Sequence, residues 1–474
     1  SAGERSEVLQ AALRGGLDLL YVTPERFRSP AFREAAPRLD VTRLAVDEAH
    51  CISQWGHDFR PDYHRLGDAR ALVGAPPTLA VTATATPRVV QDVCPSLNLR
   101  EPLILLSGVE RPNLFLAAVG LDSVEDRTRV IEERVRAIDG PGIVYFALIR
   151  DLESTREALL RRGIPTLAYH GKLSAPERER AQERFMGSER EVVLATNAFG
   201  MGVDKADIRF VLHAKMPRTI EAWTQEIGRA GRDGRPATCE LLCFGEDIAV
   251  QQNFVGWANP DAEFFAGVVS VLERWGERIQ AKELDDLRSE MLLKNRGDHR
   301  VDLCLKWLEV LGVTSGSFET HDLRLVRALE PDELPAAVGS EEKRRSDLES
   351  LLEMVRFASD RDECRRARLA RHFGLPEPEP CGRCDLCASV EGWIADEHRP
   401  RPAPREALRT EHERAPGFQR GDWVRVGGRH LGEVVAVQGR GRRARLVVQS
   451  ASDLRQRIVD PARERVERLD TGVD

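Results

Sequence analysis

The chain of 474 residues holds no Gly-x4-Gly-Lys-Ser/Thr phosphate loop. The nearest approach, His170-Gly171-Lys172-Leu173, lacks both the hydroxyl residue and a glycine at the right distance upstream. A nucleotide site complete with its phosphate cradle is therefore not written in these residues. Long apolar runs are missing too: none approaches the roughly 18–20 residues of a membrane helix, and no charged-then-apolar leader opens the chain. A cytoplasmic protein without membrane contact is the expectation. Five of the nine cysteines (Cys51, Cys94, Cys239, Cys243, Cys304) stand singly with no framework spacing, which excludes a disulfide scaffold and suits a reducing compartment. Lysine is scarce, 7 against 63 arginines, a bias that favours phosphate forks but has a simpler cause in base composition of the gene. The formal net charge of −7 excludes a uniformly basic nucleic-acid wrapper, so any such contact must be a local patch.

What is present begins with LAVDEAHCIS, residues 44–53. Leu44, Ala45 and Val46 read as a short buried parallel strand, which leaves Asp47 and Glu48 at its carboxyl end, where open α/β sheets bind ligands. In phosphate-binding ATPases the first such acid holds Mg²⁺ and the second orients or deprotonates the attacking water. A bare Asp-Glu pair is more often a solvated strand end. The residues behind it change that reading: Trp55, His57, Phe59, Arg60 and Tyr63 fall within nine positions. Rings and guanidinium at this density suit stacking on unpaired bases, worth about 1–3 kcal/mol per base, whereas core filling would bury Gln54, Asp58 and Asp62 at a cost.

These blocks resemble the RecQ family of DNA helicases, whose aromatic-rich loop lies directly behind an Asp-Glu-Ala-His box that here includes His50. The resemblance covers about residues 17–245 and part of 340–390. Thr82-Ala83-Thr84-Ala85-Thr86 is similar to the motif linking nucleotide state to the second lobe, which implies coupling roles for Thr82 and Thr84. ATNAFGMGVDK, residues 195–205, matches the fifth motif, with Gly200, Gly202 and Asp204 near phosphate or sugar. QEIGRAGRDG, residues 225–234, resembles the motif whose Gln225, Arg229 and Arg232 complete the ATP site from the other lobe; the two arginines, three apart, are expected on one helical face. Such a finger contributes roughly 10³–10⁵ in rate. Phe146, Arg150, Lys215 and Trp223-Thr224 depart from the family pattern and point to a divergent branch. A family member carries its phosphate-loop lysine well upstream of the box, yet only 46 residues precede Asp47 and the first is Ser1, so the chain reads as a fragment or a product of an internal start.

Periodicity predicts an α/β protein, and the resemblance implies tandem RecA-like lobes, the first incomplete. The expected units are a partial first lobe (1–112), a second lobe (113–250), a winged-helix-like insertion (255–335), a zinc-binding helical subdomain (340–393), a Pro-, Arg- and Glu-rich linker (394–415) and a small SH3-like β module (416–470). First-lobe strands are expected at Leu17–Val22, Arg43–Asp47 and Thr78–Thr82, and second-lobe strands at Gly142–Phe146, Thr166–Tyr169, Glu191–Thr196, Phe210–His213 and Glu240–Phe244. In the insertion, helices at Asp261–Gly276, Ala281–Met291 and His299–Leu311 precede two short strands. Its third helix either enters a groove, where Arg296, Arg300 and Lys306 meet phosphate, or is packing alone, since Leu303, Leu305, Leu308 and Leu311 have core spacing.

Cys364, Cys381, Cys384 and Cys387 form the spacing C-x16-C-x2-C-x2-C. Thiolates two residues apart in a turn converge on one tetrahedral ion, and the same count fits the family's zinc subdomain, including the arginine-rich helix and His372-Phe373-Gly374. An iron–sulfur cluster is the rival, disfavoured because no fourth nearby cysteine is followed by proline. With four protein ligands a zinc ion is structural. Across 416–470, 12 arginines face 7 acids, and Arg440, Arg442, Arg443 and Arg445 cluster on one hairpin. That patch suits DNA, a protein partner, or solubility alone. The family's usual winged helix after the zinc site is absent, so preferences for branched DNA do not carry over.

The resemblance implies an ATP-dependent DNA helicase of 3′-to-5′ polarity in DNA repair or recombination, using ATP, Mg²⁺ and Zn²⁺ and binding single-stranded or partly duplex DNA. Without the phosphate loop this chain alone is expected to be inactive. The alternative is a catalytically dead DNA-binding or regulatory protein. An RNA helicase of a related superfamily fits the box but not the aromatic segment behind it.

Overall fold

The computed structural model describes the chain except residues 1, 54, 56–58, 109, 201, 294–297, 331–332, 335–337, 339, 402–417, 419–420, 429, 439–444, 452–454, 462 and 470–474. The predicted positions Gln54, His57, Asp58, Arg296, Arg440, Arg442 and Arg443 therefore lie outside the described residues.

In the first lobe, β1 (Leu44–Val46) pairs in parallel with β2 (Thr78–Ala80), Leu44 opposite Thr78. Helices at Pro61–His64, Leu66–Leu72 and Pro87–Ser96 cover them, and Val46, Ala49, Ile52, Leu66, Val89, Val93 and Leu97 form a small core. Residues 17–22, expected as a strand, make no ladder, and Leu19 and Tyr21 are 67% and 89% exposed. Apolar composition alone does not make a strand; a neighbouring backbone has to accept its hydrogen bonds.

The second lobe is a six-stranded parallel sheet in the order β3-β8-β7-β4-β6-β5, formed by β3 (Leu114–Gly120), β4 (Gly142–Tyr145), β5 (Leu167–Tyr169), β6 (Val192–Ala195), β7 (Phe210–His213) and β8 (Ala237–Cys243). Helices lie on both faces, so the central strands are buried throughout and read as continuous apolar runs without alternation. Strand β3 was missed at the sequence level, and β8 begins three residues earlier than expected. Both are consequences of pairing: β8 sits between β3 and β7 and is extended by their ladders. The outer edge of β3 is covered in turn by the cysteine loop, Leu116 donating to Arg383 O at 3.2 Å and accepting from Asp385 N at 3.0 Å.

The insertion has its own core of Phe265, Val268, Leu272, Leu287, Val301, Cys304, Trp307, Leu308 and Val313. Its helices run Ala262–Trp275, Leu284–Glu290 and Arg300–Val310, followed by the two-residue strands β9 (Thr314–Ser315) and β10 (Arg324–Leu325), antiparallel. The middle helix starts late because Glu283 and Asp286 close a capping box there. Helices Glu341–Ser359 and Arg365–His372 follow.

The segment expected to open the linker is ordered. Val390–Glu397 is a helix whose Val390 and Ile394 enter the second lobe's core, and Trp393 stacks on Phe115 with ring centroids 5.4 Å apart. Arg401 then donates to Arg190 O and Gly140 O, both at 2.7 Å. The helix begins in the expected zinc subdomain and runs four residues into the expected linker, because apolar residues at i, i+3 and i+4 (Val390, Trp393, Ile394) make one buried face. At the C-terminus β11 (Trp423–Val426), β12 (His430–Gln438), β13 (Arg445–Ser450), β14 (Gln456–Val459) and β15 (Val466–Arg468) form an antiparallel sheet ordered β14-β13-β12-β11-β15 around Val424, Val426, Val434, Leu446, Val448 and Val459. It rests on the second lobe through Arg184, which reaches Glu433 at 2.9 Å and Gln449 at 3.2 Å. No helix among the described residues is long and apolar enough to cross a membrane.

Candidate nucleotide site and zinc centre

Strand β1 ends sharply. Glu48 adopts a left-handed backbone, φ 49° and ψ 44°, and its amide donates to Asp47 Oδ1 at 2.8 Å. For a residue with a Cβ this conformation costs about 1–2 kcal/mol, a strain that clusters at functional turns. It leaves Asp47 exposed and turns Glu48 toward His50, whose Nδ1 lies 3.3 Å from Glu48 Oε2 and 2.9 Å from Thr82 Oγ1. His50 is buried, so the imidazole ties the acid to the turn after β2. Thr84 Oγ1, one step further along, is buried without a hydrogen-bond partner among the described atoms.

From the second lobe, Gln225 Nε2 reaches Glu48 Oε1 at 3.5 Å. Gln225 stands on the helix Ile220–Ile227, whose N-cap Thr219 accepts from Ala222 N. Glu48, His50, Thr82 and Gln225 are thus brought together. Arg229 and Arg232 take other places. The helix ends at Ile227, so the two arginines lie on a turn and do not share a helical face as the spacing suggested. The turn is held by Arg111, which donates to the carbonyls of Gly228, Ala230 and Gly231, and by Asn113, which donates to Gly231 O and Arg235 O. The amide of Gly231 donates to Ile208 O at 2.8 Å instead of back along the helix, so the chain leaves the helical path there. Arg229 is buried against Gly200, where an added Cβ would come within 3.0 Å of its Nη2, and beside the buried Tyr145, whose hydroxyl donates to Phe199 O. Burial raises the Tyr145 phenol well above its ordinary range, so it stays a neutral donor. Arg232 pairs with the exposed Asp204 at 2.6 Å, and Gly202 at φ +84° turns the chain just before Asp204. Arg111 and Asn113 went unnoticed in the sequence; the signal was a polar Arg-Pro-Asn immediately before an apolar run.

The aromatic segment is divided. The Arg88 guanidinium lies 3.7 Å over the Trp55 ring, and Arg60 lies 5.9 Å over Tyr63. Phe59, expected to meet bases, has a ring face taken by Trp307 of the insertion, with centroids 5.5 Å apart and planes at 20°. In the third insertion helix Arg300 pairs with Asp298 at 2.7 Å and sits 4.5 Å over Phe264, whereas Lys306 is exposed.

The four sulfurs of Cys364, Cys381, Cys384 and Cys387 lie within 4.8 Å of one another, and Cys364 and Cys384 are 3.9 Å apart. Four thiolates at about 2.3 Å from one Zn²⁺ would stand roughly 3.8 Å apart, so the group fits a closed tetrahedral site that needs no further ligand. Asp385 inside the loop accepts two bonds from Arg365, both 2.9 Å, and one from Ala118 N at 3.2 Å, which fixes the loop to β3. The end of the helix Arg365–His372 meets the Gln225 helix: His372 lies 2.9 Å from Glu221 and 3.3 Å from Glu353. Burial opposes its charge, but the two carboxylates prevail and raise its pKa to about 9.

Three family models match the chain: DEAD/DEAH box helicase over residues 1–93, helicase conserved C-terminal domain over 126–234 and RecQ zinc-binding over 321–388, the last beginning inside the segment described as the insertion. A Bacillus subtilis protein named "Probable ATP-dependent DNA helicase RecS" is 42% identical over 84% of this chain and 79% of its own length. The ATP-dependent DNA helicase RecQ of the same organism is 38% identical over 63% of this chain, which spans half of that relative. Among solved structures, Mycobacterium smegmatis helicase Lhr bound to ssDNA and AMP-PNP is 18% identical at a TM-score of 0.41, covering 79% of this chain and 52% of that one, a loose likeness. With the box, the interlobe glutamine and the cysteine centre in place, the chain belongs to the RecQ family of ATP-dependent DNA helicases.

Proposed function

We propose that these residues are the larger part of an ATP-driven DNA motor that moves 3′ to 5′ and serves repair or recombination. Asp47 would hold Mg²⁺, Glu48 would orient the attacking water, and Arg229 would meet charge developing on the transferred phosphoryl group. The observation that carries this reading is the 3.5 Å approach of Gln225 to Glu48, which joins the hydrolytic acid of one lobe to the motif helix of the other. Bound ATP would supply the phosphoanhydride whose cleavage drives the cycle. DNA is the proposed partner, met by Trp55 and Arg60 and by the arginines at 440, 442 and 443. We read the insertion as winged-helix-like and the terminal sheet as SH3-like on their element order.

Residues 1–474 contain no lysine and hydroxyl pair to cradle the β- and γ-phosphates, so Glu48 has no fixed substrate and these residues alone should hydrolyse ATP negligibly. Steady-state hydrolysis with and without single-stranded DNA tests both halves of the proposal. The chain alone should be silent, and a fusion behind a family phosphate-loop segment should turn over only with DNA. DNA-dependent turnover by residues 1–474 that vanishes in Glu48→Gln would overturn the first half. A folded fusion without turnover would favour the catalytically dead reading.

A further inference from the structure

Residues 255–335 take no part in the nucleotide chemistry, yet they grip the segment that follows Glu48. Three contacts join the helix Arg300–Val310 to the first lobe. Trp307, buried to 2% exposure, stacks on Phe59. Arg28 forms a fork with Asp62, both bonds 2.5 Å, and also pairs with Glu309. Arg65 donates to Val310 O at 3.3 Å. Two of them land directly on Phe59 and Arg65, the third reaches Asp62 through Arg28, and Arg60 N donates back to Cys51 O at 3.1 Å, beside His50. The insertion is continuous at its other end with the helix Glu246–Ala258, which leaves β8 of the second lobe. It therefore starts in one lobe and presses its third helix on the other.

The faces differ in chemistry. A stack between two large rings contributes about 0.5–1.5 kcal/mol beyond its burial, and a half-buried fork with a second carboxylate is directional in a way a greasy interface is not. This precision is placed on one short run, the far end of the aromatic segment.

We propose that the helix Arg300–Val310 is a strut, and that Trp307 and Glu309 are positioning residues for the motor: they anchor Phe59–Arg65 so that DNA contact at Trp55 is transmitted to Glu48 rather than absorbed by a loose loop. Phe59 is then an anchor, not a base-stacking ring. The proposal rests on the reading of Trp55 as a DNA contact, but not on ATP turnover.

Hydrogen–deuterium exchange on residues 1–474 with zinc bound, together with the affinity for a fluorescent oligo-dT, tests it without nucleotide. Glu309→Gln removes one charge from a side chain that is 32% exposed and outside the insertion's core. Trp307→Ala removes the stack, and Trp307→Phe retains a ring. Glu309→Gln and Trp307→Ala should each accelerate exchange across 59–65 about tenfold and weaken oligo-dT binding several-fold, with Trp307→Phe close to the parent. In Glu309→Gln, residues 265–287 should exchange as before. Parental exchange across 59–65 in Glu309→Gln overturns the strut, as does acceleration spread equally through 265–287 in that variant. Faster exchange with unchanged oligo-dT affinity leaves an ordinary interface and overturns the positioning role. If the parent binds no oligo-dT, the DNA reading is what has failed, and the exchange data alone decide whether the anchor exists.

Discussion

Gln225 and Glu48 meet across the two lobes at 3.5 Å, at the long end of hydrogen bonding, with Glu48 held in a left-handed turn and Gln225 on a helix that stops two residues later. At that distance the contact is weak as it stands and would strengthen if the lobes close by a few tenths of an ångström. It is positioned to report lobe closure to the acid proposed to orient water.

A Gln225→Ala change in an ATPase-competent fusion should reduce DNA-stimulated turnover about tenfold, the equivalent of one hydrogen bond to a charged group. Glu48→Gln should cost more, roughly 10²–10⁴. Steady-state hydrolysis checks both. Equal losses, or none for Gln225, would remove the interlobe contact from the mechanism.

Metal analysis should find about one zinc per chain at the four cysteines. Cys384, fully buried, is the severest single loss, because its loop also closes the edge of β3. Cys384→Ser should lose the metal and destabilise the second lobe, since structural sites of this kind contribute some 10–16 kcal/mol to folding. Iron with visible absorption, or an intact fold without metal, would contradict the assignment.

Trp55→Ala and Phe59→Ala should part company. Trp55, with the Arg88 guanidinium over its ring, should cost about 1–3 kcal/mol in single-stranded DNA affinity with little change in melting temperature. Phe59, stacked on Trp307, should lower the melting temperature as well. Fluorescence anisotropy and thermal unfolding on both variants decide; identical behaviour would show that the two rings do one job.

His372 should give stability a particular pH dependence. In the folded chain its pKa is about 9 against an ordinary 6.5, because Glu221 and Glu353 flank it. Its protonated form is favoured by folding, so the contribution is complete below about pH 6.5, falls as the pH rises through 9, and is gone above that. Chemical denaturation of the parent and of His372→Gln at intervals from pH 6 to 10 should show curves that differ most at the acidic end and converge at the alkaline end. Parallel curves would mean that the carboxylates do not hold a charged imidazole.

The strongest local patterns were legible in the sequence. Asp47-Glu48 after three apolar residues, the Cys-x2-Cys-x2-Cys run, and the second-lobe strands at 142–145, 192–195 and 210–213 all declare themselves, because an abrupt strand end, a metal turn and a doubly covered strand each impose chemistry on adjacent residues. Missing from that view were features whose partners are far away in the chain. Residues 17–22 have the composition of a strand but no neighbour to complete a ladder, whereas the first residues of the expected linker, 394–397, are the end of a helix that Ile394 and Trp393 hold against the second lobe. Arg229 and Arg232 were placed on a helix by their spacing, but they lie on a turn that Arg111, more than a hundred residues earlier, holds by its carbonyls. The same holds for Phe59: its rings-and-charges neighbourhood specified an aromatic segment, but the ring's partner was decided by an insertion about 250 residues downstream. Local sequence determines which chemistry a segment carries, since backbone preference and side-chain type act over a few residues. Only the tertiary structure decides which of those groups meet, because hydrogen bonds, stacks and ion pairs between distant segments depend on where each segment is packed.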